Sequence, residues 1–176
     1  MTKPHILQVA KLSPYLTDKL HQTFTVHDRV HESDAAAFSA IKGSIQAIIG
    51  GGESKVPASL IAQLPALRLV SIFGVGYDGV DVAAAIAHGA KVTHTPDVLN
   101  DEVADLALAL MLAVSRNIVQ ADQHVRSHAW LQAPMPLARK MSGARFVIVG
   151  LGRIGQTIAR RAQAFDMPIS YTARSA

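Results

Sequence analysis

The 176-residue chain contains no cysteine, and this absence removes several kinds of chemistry at once. Disulfide bonds, thiolate nucleophiles and cysteine-ligated metal centres are all excluded. Aromatic residues are also few, at 5% of the chain, and they do not interleave with the basic residues that give the net charge of +4. A nucleic-acid partner is therefore not expected, and the diffuse positive charge fits a small anionic substrate and cofactor phosphates.

Long hydrophobic segments are lacking as well. The richest apolar stretch, residues 103–114, is interrupted by Asp105 and is shorter than the roughly 20 residues that span a bilayer. The first residues have too short an apolar run, and no small-residue cleavage site, for a signal peptide. The sequence therefore predicts a cytoplasmic protein with no membrane partner.

Two pairs of histidines have the i, i+4 spacing of one helix face, His27 with His31 and His124 with His128. Neither pair has a third ligand or a glutamate in the HExxH arrangement of zinc-dependent hydrolases. Solvated surface histidines are the simpler interpretation, so no metal site is predicted.

Strand-like and helix-like segments alternate along the chain, a pattern typical of α/β proteins with buried parallel strands. Five strand-like segments precede Pro96, and they predict one parallel sheet. A long helix is predicted from about residue 102 to about residue 124, with Asp101 as its cap and apolar residues nearly all round it. Such a helix is expected to be buried between layers or domains. The predicted domains are residues 1–98 and residues 99–176.

The most informative motif is Gly150-x-Gly152-x-x-Gly155, which directly follows the apolar run of residues 146–149. The first glycine permits a tight turn, the second lets the backbone approach a pyrophosphate, and the third lets the helix pack closely on the strand. A helix-like run and a second apolar segment follow, as a βαβ unit requires. The motif predicts dinucleotide binding at a helix N-terminus, and the alternative is a glycine-rich loop with no ligand.

The residues about twenty positions beyond these glycines distinguish NAD from NADP. A site for NAD usually offers a carboxylate to the ribose 2′-hydroxyl, whereas this chain has Thr172-Ala173-Arg174-Ser175 and its nearest carboxylate, Asp166, precedes the strand. The Arg174 guanidinium can donate two charged hydrogen bonds to a 2′-phosphate, and Ser175 can add a hydroxyl donor. NADP is therefore the predicted cofactor, with NAD possible if Arg174 is an exposed residue that binds nothing.

Residues 74–116, which begin GVGYDGVDV, and the later VGLGRIG of residues 149–155 resemble the D-isomer-specific 2-hydroxyacid dehydrogenases. The segment TPDVLNDEVADLAL ahead of the glycine motif makes the match specific, and AFDMPISYTARS resembles the NADPH-preferring branch that reduces hydroxypyruvate, glyoxylate or hydroxyphenylpyruvate. The resemblance implies an α/β fold: a flavodoxin-like, five-stranded parallel substrate domain followed by the first βαβ part of a Rossmann dinucleotide-binding domain. It covers essentially this whole chain, but only about the first half of the family's length.

The resemblance also implies roles for particular residues. The backbone amides of Val75 and Gly76 would bind the substrate carboxylate. Gly52 would line the same cleft with Glu53 and Ser54, although a simple turn is the alternative for the last two. The resemblance implies that Val103 contacts the cofactor, at a position where many relatives have threonine. The other residues it implies as cofactor-binding are Gly150, Leu151, Gly152, Arg153, Ile154, Gly155, Arg174 and Ser175.

The activity implied by the resemblance is reduction of a small 2-keto acid to the D-2-hydroxy acid. The family's chemistry uses an arginine, a glutamate and a histidine, and all three lie beyond residue 176. No catalytic residue is therefore assigned in this sequence, and the isolated chain is expected to be inactive. The long helix and its connector contribute to dimer formation in the family, so a homodimer is expected. A non-catalytic nucleotide-binding or dimerising remnant is the alternative.

Overall fold

The computed structural model describes residues 2–174, which divide into two compact units, one ending at Pro96 and the other beginning at Asp97. The first unit alternates strands and helices in the order β1 (His5–Gln8), α1 (Pro14–Thr23), β2 (Thr25–Asp28), α2 (Val30–Ser33), α3 (Ala35–Ile41), β3 (Ile45–Gly51), α4 (Ala58–Ile61), β4 (Leu69–Phe73), α5 (Val82–Ala87) and β5 (Lys91–Thr93). The second unit contains α6 (Asn100–Ser115), α7 (Ile118–Arg126), a 3₁₀ turn (Ala129–Leu131), β6 (Phe146–Val149), α8 (Arg153–Gln163) and β7 (Ile169–Thr172).

The five strands of the first unit form one parallel sheet in the order β2-β1-β3-β4-β5. This is the flavodoxin-like order, and it confirms the predicted five-stranded parallel sheet. Neighbouring residues of a strand face opposite layers, so Leu7 packs in the larger core with Ile48 and Val70, whereas Ile6 packs in the smaller one with Leu20. Both faces of the central strands are therefore covered by apolar side chains.

Polar caps fix where several of these helices begin. Ser13 accepts a hydrogen bond from the Leu16 backbone N–H and is followed by Pro14 at the first helical position, as the sequence predicts. The Asp34 carboxylate caps α3 and that of Asp81 caps α5, each accepting a backbone N–H bond of 2.9 Å.

The second unit is built on a βαβ element. Strands β6 and β7 pair in parallel, with Phe146 beside Ile169 and Val149 beside Thr172. Helix α8 connects them, and its Arg161 donates hydrogen bonds to Asp101 and Asp105 of α6. Within residues 2–174, no helix has both the length and the apolar content needed to cross a membrane.

The prediction of a single helix from about residue 102 to about residue 124 is wrong, because the structure has two helices, α6 and α7, in this range. Helix α6 ends at Ser115 and α7 begins at Ile118, since Asn117 takes a left-handed backbone conformation with φ of 52°. Asparagine tolerates this conformation better than most residues. Asp101 is not the cap: Leu99 occupies that position without a side-chain bond, and Asp101 lies in the first turn, where its charge suits the helix dipole.

Burial on all sides of α6 was also expected and is not found in this structure. Ala104 and Leu108 are buried, whereas Leu106, Leu110 and Val114 on the rest of the helix are each more than half exposed. Helix α8 packs against α6 and covers one side of it, through contacts that include the Arg161 bonds. The apolar residues outside that contact form an exposed surface.

Two histidines link β1 and β2. His5 Nδ1 lies 3.0 Å from His27 Nε2, and the Ser44 hydroxyl lies 3.2 Å from the same nitrogen of His5. Burial and, to a lesser extent, the neighbouring His5 lower the pKa of His27. The folded protein therefore favours the neutral form of His27 more than the unfolded chain does.

The free energy of unfolding is consequently expected to depend on pH through His27. As the pH falls, the unfolded chain, in which a histidine pKa is about 6.5, binds a proton at His27 before the folded protein does. The contribution of His27 to the free energy of unfolding should be fully present above that pH and should be lost as the pH falls through the lowered pKa of the folded protein. Urea denaturation between about pH 5 and pH 8 measures this slope. His27→Gln should reduce it, whereas His128→Asn, a change tolerated by the left-handed conformation of residue 128, should not.

Candidate functional site

Two glycine-containing loops lie side by side at the carboxyl ends of β3 and β4. A Cβ atom built on Gly74 would lie 2.9 Å from both the N and the Cα of Gly52, so glycine is required for this approach of two backbones. Gly76 is also close, since a Cβ on Gly52 would lie 3.5 Å from its carbonyl oxygen. The structure thus brings Gly52, Val75 and Gly76 to one edge of the sheet.

His94, which follows β5, holds the second loop. Its Nδ1 lies 2.9 Å from the Val75 carbonyl oxygen, and its ring meets that of Tyr77 edge-on with centroids 4.7 Å apart. The N–H of Gly76 belongs to the same planar trans peptide as the Val75 carbonyl, so it points in the opposite direction, away from His94. His94 and Tyr77 lie within residues 74–116, but the sequence assigned neither a role, because their contact depends on strand order.

An open cleft of about 490 Å³ lies beside Gly52, between the carboxyl ends of β1 and β3. The structure places Glu53 and Ser54 in its wall together with Gly52. A neighbouring cleft of about 560 Å³, formed by α2, α3 and α4, shares Glu32 and Lys55 with it and includes neither glycine loop. The full lining of the first cleft is Val9, Ala10, Lys11, Glu32, Gly51, Gly52, Glu53, Ser54 and Lys55.

The glycine motif of the second unit forms a turn between β6 and α8. Gly150 has a φ of +94°, which favours glycine, and its N–H donates to the Thr172 carbonyl oxygen at 2.8 Å. A Cβ on Gly155 would overlap the carbonyl group of Gly150, so this position also requires glycine. A Cβ on Gly152, in contrast, would meet no atom within 4 Å. The second glycine therefore leaves one side of the loop open to a ligand.

Helix α8 begins in this loop with Gly152 at its N-cap and no side-chain capping bond. The N–H groups of its first turn are therefore available to an anion. The Arg153 guanidinium lies 3.1 Å from the Asp97 carboxylate, so Arg153 would reach a phosphate through its backbone N–H. Gln156 donates from its side-chain amide to the Leu151 carbonyl at 3.1 Å and braces the turn.

An open cleft of about 570 Å³ runs along the turn and brings Arg174 together with Gly150, Leu151 and Gly152. An uncapped helix N-terminus, an open glycine and a guanidinium fit the phosphates of a dinucleotide. Among the other predicted cofactor residues, Arg153, Ile154, Gly155 and Val103 are absent from the cleft wall, and Ser175 lies outside the described residues. The wall is completed by Val149, Thr172 and Ala173, which lie in the quoted segments but were not predicted to contact the cofactor.

The histidine pairs noted in the sequence have other partners. His27 is bonded to His5, and His124 Nε2 lies 3.0 Å from the Ala133 carbonyl oxygen. Across residues 2–174, no group of three histidine, aspartate or glutamate side chains is placed to hold a metal ion.

Residues 6–175 match the family model described as D-isomer specific 2-hydroxyacid dehydrogenase, catalytic domain. The chain is 44% identical over 171 residues to hydroxyphenylpyruvate reductase from Plectranthus scutellarioides, covering 97% of this chain and 55% of that protein. A solved 2-hydroxyacid dehydrogenase from Ketogulonicigenium vulgare is 44% identical with a TM-score of 0.91, covering 100% of this chain and 56% of the other.

The NADPH-dependent glyoxylate/hydroxypyruvate reductase from Sinorhizobium meliloti, solved with NADP and malonate, is 40% identical with a TM-score of 0.82. That match covers 99% of this chain and 55% of the other. The present chain thus spans slightly more than half the length of these relatives. Since the family model matches nearly every residue and the two solved relatives superpose with TM-scores of 0.91 and 0.82, the chain belongs to the D-isomer specific 2-hydroxyacid dehydrogenase family.

Proposed function

We propose that this chain forms part of an NADP-dependent oxidoreductase that reduces a small 2-keto acid, of the glyoxylate or hydroxypyruvate type, to the D-2-hydroxy acid. The choice of NADP over NAD rests on the position of Arg174. It lies in the wall of the cleft at the glycine turn, and residues 169–174 contain no carboxylate that would select a free ribose 2′-hydroxyl. The name of the Sinorhizobium relative supports this class of substrate, whereas the name of the Plectranthus relative supports a 2-keto acid in general, since its substrate carries an aromatic ring.

In this proposal each unit binds one reactant. Residues 1–98 form the substrate domain, in which the N–H groups of Val75 and Gly76 bind the carboxylate of the 2-keto acid. Residues 99–176 form the partial cofactor domain, in which the turn at Gly152 binds the pyrophosphate and Arg174 binds the 2′-phosphate. NADPH, when bound, supplies the hydride. His94 keeps the Val75–Gly76 peptide in the orientation that anion binding requires.

We assign no catalytic residue to this chain. A 2-keto group needs a positioned proton donor as hydride arrives. The family resemblance places that donor, together with the arginine that orients the carbonyl, beyond residue 176. The chain by itself is therefore expected to bind ligands without transferring hydride.

Nucleotide titration of the purified chain tests the proposal. NADPH fluorescence should change on binding, with a lower Kd for NADPH than for NADH, because only NADPH carries the 2′-phosphate. In the presence of glyoxylate, the absorbance of NADPH at 340 nm should remain constant. Failure to bind either nucleotide would contradict the cofactor assignment, and steady oxidation of NADPH would contradict the expected inactivity.

We further propose that the chain forms a homodimer through α6, α7 and the connector after them. This region exposes several large apolar side chains, and exposed apolar patches are typical of association surfaces. Sedimentation equilibrium should give twice the monomer mass for the chain and the monomer mass for Leu110→Glu. A monomer that also fails to bind nucleotide would exclude the alternative of a dimerising or nucleotide-binding remnant. The exposed residues are Val103, Leu106, Leu110, Val114, Ile118, Val119, Val125, Trp130, Leu131 and Leu137.

A further inference from the structure

The first residue of the second unit, Asp97, contacts the arginine of the glycine turn. The Arg153 guanidinium lies 3.1 Å from the Asp97 carboxylate, and Arg153 directly follows Gly152, the N-cap of α8. Asn100, at the start of α6, donates from its side-chain amide to the same carboxylate oxygen at 2.9 Å. One oxygen atom of Asp97 therefore links the segment before α6 to the turn that is proposed to bind the pyrophosphate.

The backbone of Asp97 adopts an uncommon conformation. Its φ of 68° lies in the left-handed region, where residues other than glycine are rare and aspartate is among the better tolerated. Asp97 directly follows Pro96, which ends the first unit. A change in the partners of the Asp97 carboxylate would thus act on the segment that joins the two units.

The ion pair of Arg153 and Asp97 is exposed on both sides. The Arg153 side chain is 63% exposed and the Asp97 side chain is 56% exposed. Arg161, in contrast, is only 28% exposed and contacts both Asp101 and Asp105. Exposed ion pairs contribute little to stability, because water competes for both charges. The Arg161 contacts are therefore the more permanent link between α6 and α8, whereas Arg153 can change its partner.

A bound diphosphate would compete with Asp97 for this guanidinium. Phosphates at the Gly152 turn would lie against the first turn of α8, which begins with Arg153. An arginine donates paired, charged hydrogen bonds to phosphate oxygens, and a diphosphate carries more negative charge than a carboxylate. The same diphosphate would repel the Asp97 carboxylate. Both effects favour transfer of the Arg153 side chain from Asp97 to the ligand.

We infer that Asp97 is an autoinhibitory residue, whose carboxylate holds the Arg153 side chain until the diphosphate of the dinucleotide replaces it. Asp97 then keeps its bond with Asn100, and residues 97–100 lose their link to the glycine turn. Cofactor binding in this way changes the contacts of the segment that leads from the first unit into the second. The inference rests on the proposed function, because it needs the diphosphate at the Gly152 turn.

Chemical shifts of the ¹⁵N-labelled chain test the exchange, with NADPH, ADP and adenosine 2′-phosphate as probes. NADPH and ADP carry a diphosphate, and both should shift the Gly152 amide and the Arg153 Nε–H signal. Both should also shift the amides of Asp97 and Asn100, because the ion pair is broken. Adenosine 2′-phosphate has no diphosphate, so it should leave the Arg153 Nε–H, Asp97 and Asn100 signals unchanged. In Arg153→Gln, ADP should still shift the Gly152 amide but no longer those of Asp97 and Asn100.

Asp97→Asn should lower the Kd of ADP and of NADPH about two- to fivefold, the range expected when an exposed ion pair no longer has to be broken. Asparagine tolerates the left-handed backbone and can still accept the bond from Asn100. Asp105→Asn is the matched control, since it removes an exposed carboxylate from Arg161, which keeps its contact with Asp101. The control should change neither Kd.

Two results would overturn the inference while keeping the proposed function. One is a shift of the Gly152 amide by ADP without a change at the Arg153 Nε–H or at Asp97, because the ion pair would then persist in the complex. The other is a gain of affinity in Asp97→Asn no larger than that in Asp105→Asn, because the gain would then reflect only the lower negative charge. Absence of a shift at Gly152 with every nucleotide would overturn the proposed function itself.

Discussion

Gly155→Ala is expected to destabilise the protein by about 3 kcal/mol and to abolish dinucleotide binding. The added Cβ would overlap the backbone carbonyl of Gly150, and a backbone group cannot rotate aside as a flexible side chain can. Helix α8 would have to move away from the end of β6, and the Gly150 turn would move with it. Urea denaturation measures the loss of stability, and NADPH titration measures the loss of binding.

Gly152→Ala is the matched control, because it separates the two effects of a methyl group in the same motif. A Cβ at residue 152 meets no protein atom within 4 Å, and the residue has a φ of −77°, which alanine also adopts. Stability should therefore stay within about 0.5 kcal/mol of the parent, as for substitutions that disturb no packing. NADPH affinity should still fall, because the methyl group fills the open side of the turn. A large loss of stability at 152, or none at 155, would contradict this division of roles.

The fold was predictable to the extent that short-range chemistry determines it. Ser13 with Pro14 marks the start of a helix, and the glycine spacing of residues 150–155 reflects a steric requirement that the structure shows at Gly155. The break at Asn117 was not predictable from periodicity, since the apolar pattern continues through it. The left-handed conformation of one residue decides the outcome there, and asparagine permits this conformation without requiring it.

The residues of the candidate sites also differ in whether short-range spacing or the strand order determines their positions. The placement of Arg174 beside the glycine turn follows from the length of one βαβ unit, so counting residues was sufficient to predict it. The positions of Lys11 and His94 depend on which strands are neighbours in the sheet. Lys11 reaches the cleft because β1 pairs with β3, and His94 reaches Val75 because β5 pairs with β4. The sequence assigned neither residue a role, and only the strand order reveals their positions.

Arg174→Ala is expected to weaken NADPH binding roughly 10- to 100-fold, the range expected when charged hydrogen bonds to a phosphate are removed. NADH, which lacks the 2′-phosphate, should lose less than about twofold, because the turn and the N-terminus of α8 are unchanged. The Kd of each nucleotide, measured by fluorescence titration of parent and variant, gives the ratio directly. The NADPH effect should also shrink as salt rises, since an exposed ion pair is screened.

Two further variants determine whether this effect belongs to the guanidinium at residue 174. Arg174→Lys should recover part of the NADPH affinity, because an ammonium keeps the charge but cannot form the bidentate contact. Arg145→Ala removes the same charge from an exposed arginine just before β6, outside the wall of the cleft, and should leave both Kd values nearly unchanged. Equal losses of NADPH and NADH in Arg174→Ala would show that residue 174 supports the shape of the cleft rather than binding the 2′-phosphate. The preference for NADP would then have no basis in this chain, whereas the assignment of the pyrophosphate site at Gly152 would stand.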